Sequence, residues 1–81
     1  MIVPKIHTNG TSQKELVSQI SAVNSALSKA IDVLMKMSPN GRDYYHTENF
    51  HQACDQHAVW LKTIVTIQNE IMEVGEQIAD Q

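Results

Sequence analysis

The 81 residues carry a net charge of −3, 42% hydrophobic and 19% charged side chains, and a single cysteine. This is the composition of one small globular domain rather than a disordered chain, and its acidity excludes a general nucleic-acid binder, which is normally basic. Cys54 cannot form an internal disulfide and fits a reducing cytosol; residues 1–5 lack the apolar core of a signal peptide, and no run of about 18 apolar residues exists to span a membrane.

Residues 1–11 read as an arm, because Pro4 and Asn9-Gly10 block regular structure. Its apolar Ile2, Val3 and Ile6 could lie along a neighbouring helix, the alternative being a frayed terminus. Helix 1 is predicted over residues 13–38, opened by a capping box of Ser12 and Glu15. Leu16, Ile20, Val23, Leu27, Ala30, Leu34 and Met37 then repeat at alternating spacings of four and three, a heptad seam. Val17 and Ile31 widen it on one flank, while Asn24 beside it either fixes register or is solvated. Pro39 ends the helix, since it disfavours helical geometry in the preceding residue.

Ser38-Pro39-Asn40-Gly41 matches a type I turn, within a connection over residues 39–47. A connection this short makes the two helices antiparallel. Gly41 is expected to be indispensable there if it adopts positive φ. Helix 2 is predicted over residues 48–80, with Thr47 as N-cap and Glu48 in the first turn. Two heptad readings interleave in it. One runs through Ala53, His57, Trp60, Ile64, Ile67, Ile71, Val74 and Ile78; the other through Phe50, Cys54, His57, Leu61, Ile64, Gln68, Ile71, Gly75 and Ile78. Together they make an apolar face wider than one facing helix covers. The fold expected is therefore all-α: a two-helix hairpin that forms a homo-oligomer, most simply a four-helix bundle of two chains. Gly75 inside this helix either permits close approach of a backbone or marks fraying.

His46, Glu48, His51, Cys54, Asp55 and His57 crowd twelve positions. Their spacing matches no zinc signature, so a packed or hydrogen-bonded histidine beside a solvated face is expected, with no metal and no cofactor. Cys54 near His51 or His57 lacks the Gly-rich turn or oxyanion-hole segment that nucleophilic catalysis needs, so the chain does not read as an enzyme. The turn carries more chemistry. Arg42 offers a planar fork for phosphate or carboxylate. Tyr44 and Tyr45 offer faces for a base, and His46 and Lys36 add positive charge. A purely structural turn, with Arg42 paired to Asp43 and the tyrosines closing the bundle end, is the competing reading.

The stretch Pro39-Asn40-Gly41-Arg42-Asp43-Tyr44-Tyr45, between Ala30-Ile31-Asp32-Val33-Leu34 and a helix with a histidine near Leu61, resembles a set of small phage and prophage proteins. Where many of those continue with Pro-Gln-Gly, this chain has His46-Thr47-Glu48. The resemblance implies a virus-encoded accessory protein in a bacterial cytoplasm and supplies no activity. Two functions are expected from these observations. The first is capture of an anionic nucleotide-type ligand by Arg42, Tyr44, Tyr45, His46 and Lys36, as an anti-defence sponge would do. The second is a helical interaction module that binds and inhibits a host protein.

Overall fold

The computed structural model describes residues 1–45 and 48–81. Helix α1 spans Gln13–Lys36, a short 3₁₀ turn spans Gly41–Tyr44, and helix α2 spans Phe50–Ala79. The two long helices pack as a hairpin. Contacts between Gln13 and Ile78 at one end and between Leu34 and His57 towards the other make them antiparallel. The molecule measures 62 × 21 × 17 Å, with a radius of gyration of 18.2 Å, where a compact chain of this length would have about 12 Å. No helix among the described residues is long and apolar enough to cross a membrane.

Helix α1 starts where its cap dictates: Ser12 is extended, and its hydroxyl accepts the Glu15 N–H at 3.1 Å. The face turned towards α2 carries Val17, Ile20, Asn24, Leu27, Ile31 and Leu34, all half-buried, whereas Val23, Ala30 and Met37 are exposed. The expected seam is thus displaced by one flank. Asn24 decides the matter, because Gln68 of α2 donates to its side-chain oxygen at 2.9 Å and to Ser28 Oγ at 2.8 Å. A polar side chain that is bonded in a seam specifies register in a way apolar neighbours do not. Helix α2 answers with the second of its two heptad readings. Cys54, Leu61, Ile64, Gln68 and Ile71 are half-buried, His57, Gly75 and Ile78 are buried, and Trp60 and Ile67 are left outside.

The hairpin closes most tightly near residue 75. A Cβ placed on Gly75 would lie 2.7 Å from Ile20 Cγ2, so glycine there admits the β-branched side chain of the other helix. The same end ties down the arm and the overhang of α2. The Gln13 amide donates to the Ile78, Ala79 and Gln81 carbonyls at 2.9–3.1 Å, satisfying groups that a helix C-terminus leaves open. The Gln81 amide accepts from Ile6 N–H at 2.8 Å and donates to Pro4 O at 2.6 Å. Of the arm's apolar residues Val3 and Ile6 are half-buried, while Ile2 is 95% exposed.

The connection departs from expectation in three respects. Asn40 has ψ 131°, outside the third position of a type I turn, where ψ is about 0°. Its side-chain oxygen accepts the Arg42 N–H at 3.0 Å and its carbonyl accepts the Asp43 N–H at 3.0 Å. Asparagine bonding its own backbone two residues on has outcompeted the proline-led turn. Gly41 opens the 3₁₀ turn, and no glycine among the described residues has positive φ. Helix α2 begins at Phe50 with Asn49 in the N-cap position, so Glu48 precedes the helix instead of occupying its first turn. The expected cap, Thr47, lies outside the described residues.

Candidate functional site

Beneath the 3₁₀ turn, the end of α1 and the first three turns of α2 border a half-open cavity of ≈ 280 Å³. Helix α1 delivers Met37 and Ser38 to it as it unwinds before Pro39. The Asn40 cap folds the chain back so that Asp43 and Tyr44 lie over it, and α2 contributes Ala53, Gln56, His57 and Trp60. Phe50 supports the turn from below, its ring centroid 5.8 Å from that of Tyr44 at 47°, a tilted pairing that aromatic quadrupoles favour.

His57 is buried, and its Nε2 lies 2.6 Å from the Leu34 carbonyl. A carbonyl only accepts, so Nε2 carries the hydrogen. The imidazole thereby reaches a carbonyl of the last turn of α1, one of the groups that helix geometry leaves without an intrahelical partner. The Ser38 hydroxyl donates to Met35 O at 2.7 Å and does the same for the next carbonyl. His57 is therefore a packed, hydrogen-bonded side chain, as its position on the apolar spine suggested. His51 and Asp55 are exposed and Cys54 is half-buried. Among the described residues, no three of His, Cys, Asp and Glu are grouped so as to hold a metal ion.

The residues expected to hold an anionic ligand are dispersed. Tyr44 alone lines the cavity. Arg42 is exposed on the 3₁₀ turn and Tyr45 is 82% exposed at its end. Lys36 faces a separate shallow depression with Asp32 and Met35. His46 lies outside the described residues. Sequence reading passed over Trp60 and Asp43 as cavity residues. The signal for Trp60 was its place one helical turn after His57, and for Asp43 its place three residues after a capping asparagine.

The hairpin also presents a surface. Met37, Ala53 and Trp60 border one groove, while Ser21, Met72 and Ala79 border another. Heptad steps from Met37 and Trp60 place Ala30, Val23, Ile67 and Val74 on the first side. There Trp60 and Ile67 are each 44% exposed and Met37 is 62% exposed. On the second side α1 offers Ser21 and Ser28 at the equivalent positions.

No protein-family model matches the chain, and comparison with curated proteins and with solved structures gives no significant match.

Proposed function

We propose that this chain is a helical interaction module that works as a homo-oligomer, two hairpins pairing through the Trp60 side into a four-helix bundle. The observation that carries this is the surface left over by the hairpin. Among the described residues, Ile78 is the one hydrophobic side chain that is fully buried. The chain exposes 6394 Å², where a compact monomer of its 9.1 kDa mass would expose about 4900 Å². The excess, about 1500 Å² per chain, is about 3000 Å² for a pair, within the range of obligate homodimers.

The doubled periodicity supports the same reading. Each helix carries two overlapping seams, and the hairpin uses one of each. The seam of Val23, Ala30 and Met37 and that of Trp60, Ile67 and Val74 lie side by side, and a two-fold axis matches such a patch to itself. Sedimentation at micromolar concentration tests the pairing. The wild type is expected at twice the chain mass or more, and Ile67→Glu, which would bury an unpaired carboxylate at a cost of several kcal/mol, is expected to abolish association. A folded wild-type monomer overturns the pairing and assigns the face to a different protein, the host-inhibitor reading. The tip's likeness to phage accessory proteins is what favours that setting.

Capture of an anionic nucleotide-type ligand is the second reading. It now rests on Arg42 and Tyr45 standing exposed at the tip. A thermal-shift screen of nucleotides against wild type and Arg42→Ala tests it, with stabilisation expected in the wild type only.

A further inference from the structure

We infer that the cavity beneath the 3₁₀ turn is a site for a small organic cation of the quaternary-ammonium or alkylamine class. Asp43 is the one formally charged side chain among the described residues that line it, and Trp60 and Tyr44 supply aromatic rings. The cations nearest along the described chain, Lys36 and Arg42, are not part of that lining.

The polar groups point to the same class. The Ser38 hydroxyl hydrogen is engaged with Met35 O and the His57 Nε2 hydrogen with Leu34 O. What these two side chains can still offer is therefore largely acceptor character, joined by the Asp43 carboxylate, while the amides of Asn40 and Gln56 in the same lining keep donors as well. The C-terminus of α1 adds the negative end of its dipole. The positive end of α2 opposes this at Ala53 in its first turn, but Gln56, His57 and Trp60, which carry the polar and aromatic lining, lie beyond that turn, where the effect has faded. A cation is attracted to the faces of Trp and Tyr rings, most strongly where solvent is partly excluded. The volume of ≈ 280 Å³ lies just below the range of drug-sized sites; it suits a trimethylammonium group and not a dinucleotide. Met37 and Trp60 of the lining also lie on the proposed pairing face, so sedimentation is run on the same sample, and a failed titration with intact pairing counts against the site alone.

Trp60 is the chain's one tryptophan, so its fluorescence reports on this cavity directly. The experiment is a titration with choline, with its neutral isostere 3,3-dimethylbutan-1-ol, and with inorganic phosphate. Choline is expected to change the Trp60 emission saturably, and the isostere and phosphate are not. Asp43→Asn, checked for fold by circular dichroism, should weaken choline about fivefold, the scale of a partly exposed charge interaction. Asp32→Asn, the same change of net charge away from the cavity, should leave it unaltered. Equal responses to choline and its isostere, no response to choline, or choline binding indifferent to Asp43→Asn would each overturn the assignment. A response to phosphate in place of choline would overturn it in favour of an anion.

Discussion

At the arm end of the hairpin the helices approach until Gly75 admits Ile20, Ile78 is sealed at 1% exposure, Gln13 of α1 donates to carbonyls at the end of α2, and the Gln81 amide accepts from Ile6 N–H and donates to Pro4 O. At the tip end the apolar side chains between the helices are only half-buried, a histidine reaches across to a carbonyl, and a cavity of ≈ 280 Å³ remains beside it. Apolar packing and amide caps fix the first end. The second is held by directional polar bonds around open space, and binding sites concentrate where a rigid scaffold carries such a connection. Stability should therefore be concentrated at the arm end and chemistry at the tip.

Truncation at the arm end tests this most severely. Ile78→Ala removes the one fully buried hydrophobic side chain, and such changes cost about 2–5 kcal/mol. For a domain of this size each kcal/mol shifts Tm by roughly 4–8 °C. A drop of at least about 8 °C in thermal melting is expected, and a drop under about 3 °C would show that the arm end is not the anchor. Gly75→Ala follows. Alanine gains about 1 kcal/mol of helix propensity, but its Cβ would stand 2.7 Å from Ile20 Cγ2. That carbon is attached directly to the stiff Ile20 Cβ, so the helices must part, and overpacking of this kind costs about 1–3 kcal/mol. Net destabilisation is expected in urea, relieved when Ile20→Ala is added. At the tip, His57→Leu should cost only about 1 kcal/mol, because Leu34 O still receives the Met37 N–H at 3.1 Å. If it exceeds Ile78→Ala, the contrast between the ends is inverted.

The helices and their antiparallel pairing were legible in the sequence because periodicity, the Ser12 cap and Pro39 all agree. The seam of α1 was legible only in part. Ile20, Leu27 and Leu34 belong to both possible seams, so the choice fell between Val23 and Asn24, and hydrophobicity favours the wrong one. What settles it is Gln68, 44 residues away, a long-range bond that no local pattern carries. The misreading is itself informative: the more apolar seam faces outward, as it would if a second pair of helices were to cover it. The candidate site was harder still. Arg42 and the tyrosines drew notice by residue type, while the cavity depends on the geometry of the Asn40 cap, which brings an exposed Asp43 and a half-buried Tyr44 to its rim and leaves Arg42 out of the lining.

The smallest effect is expected at Gly41, where the sequence pointed to an indispensable glycine. In the structure Gly41 does not have positive φ, so an L side chain meets no backbone strain. A Cβ there would find only Phe50 Cζ, at 3.9 Å, an ordinary van der Waals contact. Alanine also restricts the unfolded chain more than glycine does, which at a compatible site stabilises by about 0.4–1 kcal/mol. Gly41→Ala should therefore leave Tm unchanged or raise it by a few degrees. A clear fall in Tm would mean that the chain needs left-handed backbone at this position in solution. The Asn40 cap would then not be the device that folds Asp43 and Tyr44 over the cavity, and the cation site built on that cap would fail with it.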